Sequence, residues 1–258
     1  MVTKLNKLEN THKEDFYISD STECVYQPDQ KERKLFTFIK GSKDKDFYNL
    51  LISRGFRRSQ NILYNQVCEG CNKCIPIRIK TNNFKAKKNQ RRILSKGKIF
   101  QRNITEKATY EQFYLFKEYL NYKHPDSEMN DMIFADYYSM IKNSGIDTKI
   151  IEYRLDNILI SSCITDFLDD ALSMVFSFYS PYLKKYSLGK FMILDHITFS
   201  EKYNKELIYL GYWISGCKEM EYKKDFISSE ILINGEWIRY EKENKKIKEI
   251  LKLVEEML

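Results

Sequence analysis

Cys68, Cys71 and Cys74 recur at every third residue, close enough on a loop to face one point, and Cys24 is a fourth thiol in the same N-terminal part. Thiolates grouped in this way are the donor set of a tetrahedral zinc site or an iron-sulfur cluster. Lys73 and Arg78 nearby would favour the thiolate form. The usual structural zinc pattern has two separated pairs, and the iron-sulfur pattern has a nearby fourth cysteine before a proline. Redox-sensitive free thiols and inert packing therefore stay open beside metal binding, while the isolated Cys163 and Cys217 read as core.

A second chemistry is phosphate neutralisation. In Lys85–Lys98 seven of fourteen residues are Lys or Arg and none is acidic, with Phe84 and Phe100 as flanking apolar anchors. Such a run suits a nucleic-acid backbone, against the plainer reading of a solvated helix face. Arg57 and Arg58 follow a glycine-aromatic step. Adjacent residues of a strand point to opposite faces, so one arginine can pair with structure while the other grips a ligand carboxylate with two parallel bonds. Ser187-Leu188-Gly189 opens a helical stretch, where free backbone N–H groups suit a phosphate or a carbonyl oxygen. Tyr212-Trp213 ends a strand just before Gly216-Cys217 and reads as an aromatic wall able to stack a base or an aminoacyl chain. Nothing matches a Walker loop, a dinucleotide fingerprint or a serine elbow, and His12, His124 and His196 are dispersed.

The elements that must position these groups are legible in outline. Met1–Asp15 reads as a polar tail, and Phe47, Leu50 and Leu51 are spaced for a helix. Aromatics predict a helix from Tyr110 that breaks near His124-Pro125, then a second over Phe134–Ile141. Three strands of an antiparallel meander follow, turning at Asp156-Asn157 and Asp169-Asp170. A helix from Ser187, a strand over Leu207–Ile214, a hairpin tipped by Asn234-Gly235 and a helix from Ile247 to Leu258 complete the chain. The expected fold is α+β: a tail (1–15), a smaller cysteine-bearing N-terminal domain (16–100) and a C-terminal domain (101–258) with a mostly antiparallel sheet. That element order fits an acyltransferase of the N-acetyltransferase type. A coenzyme A site would need a second glycine between Lys184 and Phe191, where only Gly189 occurs.

The 258 residues hold 43 Lys+Arg against 36 Asp+Glu, a formal charge of +7 that suggests an anionic partner. Only 9 glycines and 4 prolines occur, against 14% aromatics, which excludes collagen-like or linker-rich designs. No apolar run approaches the roughly 20 residues of a bilayer span, and the start has no apolar signal-peptide core. The expectation is a cytoplasmic chain with reduced cysteines and no membrane partner.

Several segments resemble one family. They are Cys24-Val-Tyr-Gln-Pro-Asp29, Glu32–Thr37, Gly55-Phe-Arg-Arg-Ser59, Cys68–Arg78, Gln90-Arg-Arg92, Asp147-Thr148 and Ile151-Glu-Tyr-Arg154. Thr165-Asp166, Ser187-Leu-Gly189 and Tyr209-Leu-Gly-Tyr-Trp-Ile through Tyr222-Lys223 continue the likeness, in consistent order. Together they are similar to the bacterial aspartate/glutamate leucyltransferases of the arginyl-tRNA–protein transferase superfamily. Gln60 stands where that family usually has glycine, and Val25 where proline is common.

The resemblance implies transfer of leucine from Leu-tRNA to the α-amine of proteins beginning with Asp or Glu, marking them for a ClpS-type adaptor, on an N-acetyltransferase-like fold. No cofactor is required for the transfer. Alternatives are the same reaction with Arg-tRNA as donor, a non-catalytic tRNA-binding zinc module and a coenzyme A-dependent acetyltransferase. By the same resemblance Asp166 orients or deprotonates the acceptor amine, and Arg57 and Arg58 pair with its acidic side chain. Tyr179, Ser187, Leu188, Gly189, Tyr212 and Trp213 take the aminoacyl-adenosine, and Lys85, Lys87, Lys88, Arg91 and Arg92 hold the tRNA.

Overall fold

The computed structural model describes residues 15–40, 45–82, 84–142, 145–214, 216–217, 219–241 and 247. The polar tail before Asp15 and the closing helix beyond Ile247 lie outside the described residues. The N-terminal part runs β1 (Tyr17–Ile18), β2 (Thr22–Glu23), β3 (Lys31–Glu32), β4 (Lys34–Phe38), α1 (Lys45–Ser53), β5 (Arg57–Ser59), β6 (Ile62–Gln66), β7 (Cys74–Lys80) and α2 (Lys88–Gly97). It continues through β8 (Gln101–Thr105), α3 (Tyr110–Lys123), α4 (Phe134–Lys142), β9 (Thr148–Leu155), β10 (Ile158–Phe167) and β11 (Ala171–Tyr179). Then come α5 (Leu188–Ser200), β12 (Leu207–Ile214), a short 3-10 turn at Glu221–Asp225, β13 (Ser229–Ile233) and β14 (Glu236–Arg239).

The expected meander is present: β10 pairs antiparallel with β9 on one side and β11 on the other. Asp156 and Asn157 both take positive φ, 50° and 67°, as a tight hairpin of the primed type demands. Asn234 and Gly235 do the same at 51° and 80°. Gln60, in the turn between β5 and β6, also sits at a φ of 50°, the left-handed geometry that explains a preference for glycine there. Helix α3 starts with a reciprocal cap between Thr109 and Gln112 and ends at His124, ahead of Pro125.

The large sheet has eight strands in the order β14-β13-β7-β12-β11-β10-β9-β8. Its one parallel pair, β11 and β12, is joined by the α5 crossover; every other pairing is antiparallel. Helix α5 buries nine of its residues, and with Ile93 and Leu94 of α2 it forms the main core. Helices α3 and α4 build a second core around Phe116, Tyr137 and Phe178. The sheet crosses the division expected near residue 100, because β7 lies between β13 and β12. Ile75, Ile77 and Ile79 of β7 alternate into the core, and Pro76, which has no N–H to offer, pairs beside an irregularity in β12.

Helix α1 differs from its sequence reading. Tyr48, Leu51 and Ile52 are buried, while Leu50 is 52% exposed. The helix turns Tyr48 inward because its hydroxyl reaches Asp166 of β10. A four-stranded sheet ordered β1-β4-β6-β5 packs beside this helix.

The α2–α5 contact is close: a Cβ built on Gly97 would lie 2.0 Å from the Phe191 ring. Overpacking of that kind costs about 1–3 kcal/mol. Gly97→Ala is therefore expected to lower the melting temperature by several degrees, read by thermal denaturation, although alanine is the better helix former. An unchanged or raised melting temperature would show that the ring moves aside freely.

Candidate active site

The parallel pair pairs only briefly. Ala171, Leu172 and Ser173 face Leu207, Ile208 and Tyr209, and then the strands part. Each carries an irregularity at the parting point. On β11, Ile164 pairs with Phe176 and Thr165 with Met174, leaving Val175 as the extra residue. On β12, Tyr209 pairs with Arg78 and Tyr212 with Pro76, so Leu210 and Gly211 stand opposite Ile77 alone. Bulges of this kind bend a strand and re-aim its side chains.

Two cations fill the opening. Arg57 donates from Nη2 to the Val175 carbonyl at 3.0 Å. Lys223 donates from Nζ to the carbonyls of Leu210 (3.0 Å) and Tyr212 (2.6 Å). The Arg57 guanidinium lies over the Tyr212 ring, 5.7 Å from its centroid. Gly211, at a φ of 75°, is what admits it: a Cβ there would lie 1.6 Å from Arg57 Nη1. Among the described residues Arg57 forms no salt bridge; its contacts there are the Val175 carbonyl and the Tyr212 ring. Burial, with a smaller contribution from Arg57, lowers Lys223 to about 7. Tyr26 also neighbours Arg57; burial pushes its phenol up to about 12, while the guanidinium pulls the other way.

Beside the opening lies a cleft of about 580 Å³ at the N-terminus of α5. Tyr179, Ser187, Leu188 and Gly189, four of the six residues named for the aminoacyl-adenosine, all line it. The N–H groups of a helix's first turn have no intrahelical acceptor, and the Ser187 side chain does not cap them. Arg92, Lys96, Lys123, Lys184, Lys185 and Lys190 surround the cleft, and among the described residues no acidic one lines it. Of the five cations expected at a tRNA, only Arg92 reaches this wall. Lys85, Lys87, Lys88 and Arg91 are exposed along the same basic segment. Tyr222 lines the cleft and its neighbour Lys223 reaches the Arg57 side, so one dipeptide joins the two regions.

Two expectations need correction. Asp166 and Arg58 are wholly buried and form a two-pronged ion pair, Nε to Oδ2 and Nη2 to Oδ1, both 2.7 Å. Thr148 donates to Asp166 Oδ1 at 2.6 Å, and Tyr48 donates to Oδ2. Burial and the adjacent carboxylate hold the Tyr48 phenol well above its ordinary range, so its proton stays in place. Arg58 spends its remaining donors on the carbonyls of Gln60 and Met140 and on the Thr148 hydroxyl. A base that must meet a substrate amine needs a reachable lone pair, and a sealed Asp166 has none. Arg58 is likewise unreachable for an incoming carboxylate. The strand alternation thus divides the arginine pair: Arg58 goes to structure and Arg57 to the opening.

Tyr212 and Trp213 separate from the α5 cleft as well. Tyr212 is buried and donates to Asn65 Oδ1 at 2.9 Å. Trp213 is 1% exposed in the main core, against Tyr240. Neither forms a wall of the α5 cleft.

Cys24, Cys68, Cys71 and Cys74 share a different hollow of about 360 Å³. Burial, with the other three cysteines adding to it, pushes Cys74 up to about 12. Among the described residues no group of three His, Cys, Asp or Glu stands where it could hold a metal ion. The residues as placed do not fit a zinc or iron-sulfur donor set, and no chemistry is derived through one.

Sequence reasoning missed Lys223, Tyr222, Tyr119 and Tyr26. Tyr119 packs on Tyr179 at 4.9 Å between ring centroids, which extends the tyrosine lining of the cleft. The three lysines around Ser187 are visible in the sequence, but their sharing of a cleft with Arg92 and Lys96 is not.

Residues 22–92 match the family model described as arginine-tRNA-protein transferase, N terminus, and residues 111–233 the one described as its C terminus. A protein of Rhizobium meliloti (strain 1021) named aspartate/glutamate leucyltransferase is 41% identical over 245 residues, covering 90% of this chain and 95% of its own. One of the same name from Rhodopseudomonas palustris (strain BisB5) is 40% identical over 237 residues, covering 87% and 91%. Among solved structures, L-PGS from Bacillus licheniformis has a TM-score of 0.47 at 10% identity, covering 70% of this chain and 64% of its own. A GCN5-related glucosamine N-acetyltransferase region of a fungal multi-domain enzyme has a TM-score of 0.41 at 8% identity, covering 78% and 23%.

Proposed function

The chain belongs to the arginine-tRNA-protein transferase family, and on that premise we propose that it moves leucine from Leu-tRNA to the α-amine of proteins beginning with Asp or Glu. The observation that carries this reading is a cationic cleft, lined by no acidic residue among those described, that Tyr222 and Lys223 join to an arginine forming no salt bridge among them. The cleft suits the phosphates and terminal adenosine of a charged tRNA. Arg57 suits the side-chain carboxylate of the acceptor, which it can grip with two parallel bonds. Leucine as donor rests on the names of the relatives, which are leucyltransferases.

The ester is already activated, so the protein has mostly to bring two substrates together. The acceptor nitrogen, as a neutral amine, attacks the ester carbonyl carbon; the C–N bond forms and the bond to the ribose oxygen breaks. That oxygen leaves with its electron pair and takes up the proton released by the nitrogen. An unperturbed α-amine titrates near 8, so about a tenth is already neutral at pH 7. Juxtaposition can contribute about 7–11 kcal/mol in well-oriented cases, which makes it the larger effect. The backbone N–H groups at Leu188 and Gly189 are suited to the developing oxyanion. The reaction places the protein with the cytoplasmic tRNA pool, and among the described residues no helix is long and apolar enough to cross a membrane. A ClpS-type adaptor would then read the added leucine.

The test offers Leu-tRNA and Arg-tRNA separately, with peptides starting in Asp, Glu, Lys or Ala. Leucine transfer restricted to acidic starts is the expected result. Transfer of arginine alone would change the donor, and tRNA binding without transfer would leave only a binding module. Arg92→Gln is expected to weaken tRNA binding severalfold and to reduce the slope of log affinity against log salt by about 1. Filter binding across a salt series reads both; an unchanged slope would remove Arg92 from the tRNA surface.

A further inference from the structure

We propose that Lys223 is a positioning residue for acceptor recognition, clamping the bulge of β12 so that Arg57 is held ready for the incoming carboxylate. The inference rests on the reading of Arg57 given above. Its basis is a chain of three contacts. Lys223 Nζ bridges the carbonyls of Leu210 and Tyr212, the residues on either side of Gly211. A single side chain thereby ties the peptide unit that enters Gly211 to the one that leaves Tyr212, bracketing Gly211 at its positive φ. Gly211 in turn is the surface on which the Arg57 guanidinium rests, with no room for even one added carbon. Tyr212, whose carbonyl Lys223 holds, presents its ring to the same guanidinium.

Without the clamp, the two carbonyls would lose the Lys223 donor at a point where β12 and β11 no longer pair. The bulge would be free to relax toward regular pairing with β7, carrying the seat of Arg57 with it. Arg57 also contributes to keeping Lys223 poorly charged, which places the two cations within electrostatic reach of each other. A carboxylate arriving at Arg57 relieves that mutual repulsion. Acceptor binding and the clamp are therefore coupled through charge as well as through backbone geometry.

The experiment is a double-mutant cycle of Lys223→Met and Arg57→Gln, reading KM for an Asp-start peptide, KM for Leu-tRNA and kcat, with melting temperature as a control. Lys223→Arg, which keeps a cation and its donors, is the rescue variant. Arg57→Gln should raise peptide KM at least tenfold; if it does not, the reading of Arg57 fails irrespective of Lys223. Given that rise, Lys223→Met should also raise peptide KM about tenfold with tRNA KM unchanged, and Lys223→Arg should recover part of the loss. The double variant should be scarcely worse than Arg57→Gln alone, because the second change removes a support whose load is gone. Additive effects on peptide KM, or equal losses for both substrates, would overturn the proposal. Should Lys223→Met not fold, the comparison passes to Lys223→Gln, read in the same cycle and overturned by the same additivity.

Discussion

Asp166→Ala is expected to lower the melting temperature by on the order of 10 °C, and to reduce activity chiefly through the loss of folded protein. Among the described residues Asp166 is the sole carboxylate paired with Arg58, and the pair is sealed from solvent. Removing one partner of a buried pair leaves the other charge uncompensated, at a cost of about 3–5 kcal/mol. Native stability totals only about 5–15 kcal/mol, and each kcal/mol is worth about 2–4 °C in a chain of this size. Tyr48 and Thr148 would also lose the acceptor of their hydroxyl protons. The lock joins α1 and β5 of the N-terminal part to β9 and β10, so its loss loosens the packing that sets Arg57. Denaturation together with single-turnover transfer at low temperature distinguishes this from a chemical role. A well-folded Asp166→Asn variant with no transfer would return Asp166 to the mechanism.

Arg57→Gln is expected to reduce kcat/KM for an Asp-start peptide by about a hundredfold or more, with tRNA affinity unchanged. Losing one member of a desolvated charge pair costs about 2–5 kcal/mol, equivalent to some thirtyfold to several thousandfold. Arg57→Lys should recover little, since an ammonium cannot reproduce a planar fork against a carboxylate. Gly211→Ala should act in the same direction, because its methyl group would occupy the place of Arg57 Nη1. Peptide kinetics with Asp, Glu and Ala starts provide the measurement. Equal losses for acidic and neutral starts would mean that Arg57 does not read the side chain.

Other parts of the fold were legible to different degrees. Turns could be read directly, because Asp156-Asn157 and Asn234-Gly235 act through backbone geometry within a few residues. The α3–α4 break at Pro125 and the meander over Thr148–Tyr179 belong to the same class. Apart from the strand alternation read at Arg57-Arg58, the strands before residue 148 were not singled out. Several are only two or three residues long, too short for alternation to declare itself, and β7 alternates around a proline that argues against a central strand.

The sequence by itself determined the family, through motifs in consistent order, together with the meander, the helix opening at Ser187 and the concentration of positive charge in Lys85–Lys98. It also required Arg57 and Arg58 to part company, since a strand sends neighbours to opposite faces. Which of them meets solvent was decided only by tertiary structure, when β10 brought Asp166 to Arg58 across 108 positions of chain. The same is true of Arg57 at Val175, Lys223 at Leu210 and Tyr212, and Arg92 beside Ser187. Local spacing records what a residue's own helix or strand does with it. Which elements become neighbours depends on the order of strands in the sheet and on packing of both its faces, and there one arginine is locked to a buried carboxylate while the other rests on a carbonyl and a tyrosine ring.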